Sequence, residues 1–217
     1  IIGYAELVEE ELGDDAAADD LRKIQGAGQH LLAIIADILD LSRVEAGKLS
    51  ITREPVSLPE LIAELRATVS PILKRNNDAL EIDRPAELSV VTTDRLRLKQ
   101  ILLNLLSNAA KYTENGTVTL RLRALASGGT RFDVEDTGIG VEPAALERIF
   151  DDFAQADNSF ARQYDGAGLG LSLSRRLARL LGAQLSATSE RGRGSTFSLT
   201  LPAEPPNAET GPALDAE

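Results

Sequence analysis

The hydrophobic positions near the N-terminus recur at helical spacing. Their intervals alternate between three and four residues, which predicts a helix over residues 17–45 with a coiled-coil-like seam. The positions of this seam are Leu21, Ile24, Gly28, Leu31, Ile35 and Ile38. Residues 1–12 are also amphipathic, and residues 13–16 form a short break. Together these segments predict a helical hairpin.

A two-helix hairpin carries more apolar surface than its helices can bury against each other. A homodimer through the hairpin would cover the rest in a four-helix bundle. Alternatively, the hairpin could pack on the domain that follows it.

The pattern changes after Gly47 to a mixture of strand and helix periods. Strands are predicted at residues 49–53, 80–82, 89–91, 117–124, 131–136, 184–189 and 195–201. Helices are predicted at residues 58–76, 94–112 and 168–181, the first with Pro59 in its first turn. This order predicts an α+β fold in which helices cover one face of a mixed or antiparallel sheet, an α/β sandwich.

Composition narrows the function classes. The net charge of −11 disfavours a nucleic-acid polymer as ligand, and the absence of Cys excludes disulfides and thiolate metal sites. No apolar run approaches the roughly 20 residues that span a bilayer, so we expect a cytoplasmic piece, possibly the cytoplasmic part of a membrane-bound sensor. The absence of Met indicates a piece of a longer protein. We predict domains at 1–46 and 47–201, and a disordered acidic tail at 202–217.

The predicted helix over residues 94–112 carries one polar stripe on an otherwise apolar surface. Its members are Gln100, Asn104, Asn108 and Lys111. A merely solvated face would carry Glu and Lys, whereas neutral amides on a largely buried helix suggest oxygen ligands for a hard cation, with a lysine for phosphate. Amides that cap or bridge other elements would leave the same pattern.

Asp136 ends a predicted strand on the same face as Phe132 and Val134. A carboxylate on that inward face needs a hydrogen-bond donor, and the exocyclic amine of adenine would supply one. Gly138 and Gly140 would let a ring lie close to the backbone. The alternative is an Asp that caps the following turn.

Three glycines, Gly166, Gly168 and Gly170, precede and enter a predicted helix. Because glycine disfavours helix, their backbone amides suggest a phosphate site at the helix start. The irregular segment 150–166 before them suggests a lid, in which Arg162 would contact phosphate. The last glycine pair, in RGRGSTF, predicts a hairpin turn.

The order of these motifs resembles the nucleotide-binding boxes of sensor histidine kinases, in the superfamily of gyrase, heat-shock 90 and mismatch-repair ATPases. The matching segments are NLLSNAAKYT, DTGIG, FDDF, DGAGLG and GRGSTF. The helical part, residues 1–46, with IIGYAELVE and ILDLSRVEAGKL, resembles the dimerisation and phosphoacceptor hairpin of the same kinases. FDDF and Ala167 depart mildly from the commoner forms of their boxes.

The resemblance implies ATP and Mg²⁺ as cofactors. Asn108 would hold Mg²⁺, Asn104 would support the coordination of that ion, and Lys111 would contact phosphate. These three residues are the catalytic candidates. The other implied nucleotide-binding residues are Tyr112, Asp136, Gly138, Gly140, Arg162, Gly166, Gly168, Leu169, Gly170 and Thr196, with Thr196 near the base.

The resemblance implies a protein-histidine kinase that phosphorylates a histidine and passes the phosphoryl group to an aspartate of a response regulator. The hydrolysing relatives carry a glutamate where this chain has Asn104, and an amide cannot act as a general base. We expect the acceptor histidine before Ile1, because His30 has no adjacent acid in the sequence. A non-catalytic, nucleotide-binding dimeric scaffold is the alternative.

Overall fold

The structure is a computed structural model that describes residues 2, 16–146, 148–152 and 168–203. It divides into two compact units, Ile1–Leu49 and Ser50–Glu217. In the first unit, helix α1 spans Ala16–Glu45. The side chain of Ile2 occupies the space that a Cβ on Gly28 would fill, 2.8 Å away. A glycine in the seam therefore permits a close approach of the chain at this point of α1.

Much of the apolar seam of α1 is exposed in the single chain. The exposed large side chains of α1 are Ile24, Leu31, Leu32, Ile35, Ile38 and Leu39. In the described residues, no helix combines the length and the apolar character that a membrane span requires.

The second unit contains two long helices that pack on each other. Helix α2 spans Leu58–Arg75, with a proline in its first turn as predicted, and helix α3 spans Arg95–Tyr112. Asp94 caps α3 by accepting a hydrogen bond from the Arg97 amide, and its second oxygen accepts from the Thr52 amide. Across the helix pair, Glu64 on α2 accepts hydrogen bonds from Arg95 and Lys99 on α3. These bonds lower the pKa of Glu64, with Lys99 the larger contributor.

A five-stranded mixed sheet supports the helices, in the order β2-β4-β5-β7-β6. Its strands are β2 (Ala79–Asp83), β4 (Thr117–Ala124), β5 (Thr130–Asp136), β6 (Gln184–Glu190) and β7 (Gly194–Leu201). β2 and β4 pair in parallel, and the other neighbouring strands of this sheet pair antiparallel. A separate antiparallel pair joins β1 (Glu54–Ser57) to β3 (Val90–Thr93). A short helix α4 (Pro143–Leu146) and a 3₁₀ turn (Arg148–Phe150) precede helix α5 (Gly170–Leu180).

The core lies between one face of the sheet and the helices. Alternate residues of the strands point into it, and they are Val118, Leu120, Leu122, Phe132, Val134, Phe197, Leu199 and Leu201. The outer face is polar, and there Arg121 pairs with Asp83 and Glu135. These observations confirm the predicted α+β sandwich.

Two predicted elements are misplaced. The strand expected at residues 49–53 lies instead at Glu54–Ser57, because these are the residues that pair with the antiparallel partner Val90–Thr93. The helix expected from Gly168 begins at Gly170, since Gly168 has a φ of +69°, outside the helical range. Residues 1 and 3–15 of the predicted hairpin and residues 204–217 of the predicted tail lie outside the described residues.

Candidate functional site

Asp136 lies on the core-facing side of β5, as its spacing of two residues from Val134 and four from Phe132 predicts. The register pairs it with Val118 on β4 and Ser195 on β7, and only 9% of the residue is exposed. Its Oδ1 accepts hydrogen bonds from the Gly138 amide at 2.9 Å and the Ser195 amide at 3.2 Å. One carboxylate oxygen is thus held by the backbone.

Burial raises the pKa of the Asp136 carboxyl, and the hydrogen bonds from Gly138 and Ser195 only partly oppose that effect. A desolvated acceptor of this kind gains most from a ligand that brings its own N–H donor.

The chain after β5 turns across the C-terminal end of α3. The Ile139 amide donates to the Tyr112 carbonyl at 3.1 Å, and a Cβ on Gly138 would lie 2.1 Å from the same oxygen. Gly138 is therefore required by backbone packing, whatever else it contacts. It fixes Asp136 and Tyr112 as neighbours at one end of the site.

Gly140 is constrained in the same way. It has a φ of +66°, and a Cβ there would lie 2.2 Å from the Glu190 carbonyl of the β6–β7 hairpin. The Ile139 carbonyl accepts from the Gly192 amide in the same hairpin. The glycines of DTGIG and RGRGSTF thus hold two loops together beside Asp136.

The polar stripe runs along α3 as predicted, and all four of its side chains are half-buried. Asn104 contacts α5, because its Nδ2 donates to Ser174 Oγ at 2.9 Å. Its Oδ1 lies 2.3 Å from the place of a Cβ on Gly170, a space that only glycine leaves open. The stripe therefore meets the start of α5 at Asn104.

The other end of the stripe lies at the C-terminus of α3. Lys111 Nζ lies 5.5 Å from the centre of the Tyr112 ring, a cation–π contact. Burial raises the pKa of the Tyr112 hydroxyl above its ordinary value. Among the described residues, the Asn108 side chain makes no hydrogen bond. Its amide differs in this respect from that of Asn104, which is engaged by α5.

These contacts define a strip along α3 from Asn104 to Tyr112. The eight helical steps between these two residues give it a length of about 12 Å. Asp136 and Gly138 lie at the Tyr112 end, and Gly170 lies at the Asn104 end. Gly168 and Leu169 precede Gly170 directly, and Leu169 is buried. Arg162 and Gly166, with most of the predicted lid, lie outside the described residues.

Thr196 is not brought to the carboxylate of Asp136. Its register partner on β5 is Glu135, so its side chain belongs to the outer face of the sheet. Ser195 lies on the inner face instead, and it hydrogen-bonds Asp136. Ser195 and the buried Phe197 are two residues apart on one strand and therefore share a face. This spacing could have identified Ser195 from the sequence.

A cavity of about 460 Å³ opens on the outer face. The strand register places a row of polar residues across it, namely Thr119, Glu135, Thr196 and Thr188. These side chains point away from the helices, but Asp136 and Ser195 also line the cavity, so it borders the site from the other side of the sheet.

Comparison with known proteins assigns the fold to a family. Residues 93–205 match the sequence profile described as "Histidine kinase-, DNA gyrase B-, and HSP90-like ATPase". The chain belongs to this ATPase family. Residues 1–47 match a second profile, the His Kinase A (phospho-acceptor) domain. The resemblance found in the sequence motifs is thereby confirmed for both parts of the chain.

The relatives of this ATPase-family chain include named histidine kinases. Hybrid signal transduction histidine kinase B of Dictyostelium discoideum is 37% identical over 215 residues, which cover 97% of this chain and 11% of that protein. The circadian input-output histidine kinase CikA of Synechococcus elongatus is 40% identical over 185 residues, 84% of this chain and 24% of that protein. The chain thus spans at most about a quarter of the length of these relatives.

The crystal structure of full-length ShkA in complex with AMPPNP resembles this chain closely. The two share 33% sequence identity with a TM-score of 0.78, over 93% of this chain and 42% of ShkA. The family therefore includes a similar fold that was crystallised with an ATP analogue.

Proposed function

We propose that this chain is the core of an ATP-dependent protein-histidine kinase of a two-component signalling system. It would transfer the γ-phosphoryl group of ATP to a histidine N-terminal to Ile1, and then to an aspartate of a response regulator. The observation that carries the proposal is the pairing, in one chain, of a segment that matches the phospho-acceptor profile with a domain that matches the ATPase profile. From the change in sequence pattern, we propose the domain boundaries 1–46, 47–201 and 202–217.

Asp136 and Tyr112 would bind the adenine end of the nucleotide. The buried carboxylate has one oxygen saturated by two backbone amides, so its other oxygen would accept from the exocyclic amine. Asn108 and Lys111 lie on the same face of α3 and would contact the phosphates, and Gly168, Leu169 and Gly170 would approach the phosphates from the start of α5. Arg162, Gly166 and Gly140 remain predicted contacts, whereas the outer-face position of Thr196 speaks against its predicted contact with the base.

The donors of this strip fit a magnesium ion that is held mainly by phosphate and water. Mg²⁺ is usually bound in proteins through one or two oxygen ligands plus substrate phosphates. Within the described residues there is no cluster of three or more acidic or histidine side chains that could hold a metal. Asn108, whose amide makes no hydrogen bond among these residues, would be the single ligand from the protein. When bound, the ion would neutralise charge on the phosphates.

Asn104 favours transfer over hydrolysis. In the transfer, the imidazole nitrogen forms a bond to the γ-phosphorus, the bond to the bridging oxygen breaks and ADP leaves. A water nucleophile would need a base, which the Asn104 amide cannot supply. Catalysis by this chain would therefore rest on positioning and on charge neutralisation by Lys111.

We also propose that α1 forms a homodimer through its exposed apolar seam. A four-helix bundle would bury side chains such as Leu31 and Leu39, which are more than half exposed in the single chain. The response regulator would be the second protein partner. Because the proposed reaction consumes ATP, we propose that this part of the protein acts in the cytoplasm.

The test is transfer of labelled phosphate in the natural chain that includes the residues before Ile1. Incubation with γ-labelled ATP and Mg²⁺ should label the protein with the acid-labile, alkali-stable bond of phosphohistidine. A receiver domain added afterwards should remove the label. α-Labelled ATP is the control, because it labels the chain only if nucleotide remains bound.

A non-catalytic scaffold is the alternative, and the same experiment separates the two. A scaffold would bind ATP with the same dependence on Asp136 but would acquire no label. Steady phosphate release without labelling would instead indicate an ATPase.

A further inference from the structure

Ser174 joins the polar stripe of α3 to the interior of α5. It is 2% exposed, and its hydroxyl oxygen accepts a hydrogen bond from Asn104 Nδ2 at 2.9 Å. The neighbouring Ser172 is equally buried, but its hydroxyl donates to the Leu169 carbonyl on its own turn of helix. Of these two serines, only Ser174 reaches across to α3.

The contact orients both ends of the Asn104 amide. The nitrogen points to Ser174, and the oxygen lies nearest to Gly170, one turn earlier on α5. The first backbone N–H groups of a helix have no partner within it and carry a partial positive charge, which favours a carbonyl oxygen over an amine at that place. The hydrogen bond to Ser174 therefore holds the amide in place, and the positive end of the helix favours the orientation in which its oxygen faces Gly170.

This orientation determines what the Asn104 amide offers at the strip. With the nitrogen engaged by Ser174, the oxygen is left as an acceptor at the start of α5, beside Gly170. A flipped amide would present two N–H donors there instead. An acceptor is what a hydrated cation requires.

We propose that Ser174 is a positioning residue for phosphoryl transfer, which acts by fixing the Asn104 carbonyl oxygen at the N-terminus of α5. The proposal rests on the proposed kinase function for its effect on rate. Its structural part, the coupling of Ser174 to Asn104, can be measured without ATP.

The first experiment is a double-mutant cycle on stability in the absence of nucleotide. Urea unfolding of the full chain is measured for wild type, Ser174→Ala, Asn104→Ala and the double variant. We expect the two substitutions to be non-additive, because each removes the same hydrogen bond. Ser198→Ala is the control, since Ser198 is also buried but bonds to Asp133 on the outer face of the sheet. It should add to Asn104→Ala, and additivity of Ser174→Ala as well would overturn the proposal.

The second experiment compares Ser174→Thr with Ser174→Val in the labelling assay. The two side chains are both β-branched and nearly equal in size, and valine has a methyl group where threonine has its hydroxyl, so the strain from the added branch is shared. We expect Thr to retain the transfer rate within about threefold and Val to lower it about tenfold, the effect of one neutral hydrogen bond. The affinity for ATP without Mg²⁺ should differ by less than about twofold between them.

Equal rates for the two variants would overturn the positioning role. The positioning role would also be overturned if Ser174→Val lowered the rate by the same factor in wild type and in Asn104→Ala. Ser174 would then not act through Asn104. Absence of label in wild type would instead count against the kinase function, and the stability cycle would still test the coupling.

Discussion

At the scale of single residues, the protonation of Asp136 links the site to pH. Burial raises the pKa of its carboxyl in the folded chain above the ordinary value of 3.8. The folded state then binds more protons than the unfolded state between these two values, so stability falls as pH rises through that window. The loss is at most about 1.4 kcal/mol per pH unit, and it is complete above the folded pKa.

Asp136→Asn should remove this contribution. The amide oxygen can still accept from the Gly138 and Ser195 amides, so the fold is retained. Urea unfolding of the nucleotide-free chain is measured from pH 4 to pH 7.5. We expect the difference in unfolding free energy between variant and wild type to increase in favour of the variant as pH rises. A pH-independent difference would show that the carboxyl is not perturbed.

Asn108 should control how nucleotide binding depends on Mg²⁺. Asn108→Asp keeps the shape of the side chain and adds a negative charge beside the expected phosphates. We expect ATP affinity without Mg²⁺ to fall more than tenfold, and the loss to shrink when Mg²⁺ is present. Fluorescent-nucleotide titrations with and without Mg²⁺ measure both values. An equal loss in the two conditions would contradict a role as metal ligand.

Residue periodicity identified part of the site from the sequence. The inward position of Asp136 follows from its period with Val134, and the stripe on α3 follows from helical spacing. The same rule applied to Phe197 selects Ser195, whereas the resemblance alone selected Thr196. The packing of Gly138 on the Tyr112 carbonyl could not be predicted, because it depends on contacts between distant segments.

At the scale of elements, the β6–β7 hairpin is fixed to the end of β5 by glycine. Gly192 and Gly194 both have positive φ, but a Cβ on Gly194 would lie 1.8 Å from the Asp136 carbonyl, whereas one on Gly192 would meet nothing within 4 Å. Gly194→Ala should therefore lower the unfolding free energy by at least about 1 kcal/mol more than Gly192→Ala, which shares only the backbone strain. Chemical denaturation of both variants measures the difference. Equal effects would mean that the hairpin is not tightly held at Asp136.

The helices and the longer strands were predicted better than the short strands. The strand at Thr117–Ala124 has the predicted limits, and α3 begins one residue after the predicted start because Asp94 is its cap. The strand at Glu54–Ser57 was predicted five residues too early. It contains Pro55, which disfavours a strand assignment, and it forms only through its partner Val90–Thr93. Pairing between distant segments, including the parallel pair β2–β4, leaves little trace in local sequence.

At the scale of the whole molecule, the apolar seam of α1 predicts self-association. Ile35→Glu places a charge in the seam, and it should shift the dimer toward monomer by more than tenfold in dissociation constant. Ala33→Glu adds the same charge on the opposite side of the helix and should leave the equilibrium unchanged. Sedimentation equilibrium measures both. If the two variants behave alike, the seam is covered in another way, such as by the domain that follows it.

The central claim is that Asp136 binds the base of a nucleotide on the inner face of the sheet. Isothermal titration with ATP and Mg²⁺ at pH 7.5 tests it directly, with Asp133→Asn as the matched control. Asp133 is a buried acid on the same strand, but it faces outward to Arg131 and Ser198. We predict that wild type and Asp133→Asn bind ATP alike, while Asp136→Asn loses at least about a hundredfold in affinity. Unchanged binding by the Asp136 variant would contradict the account.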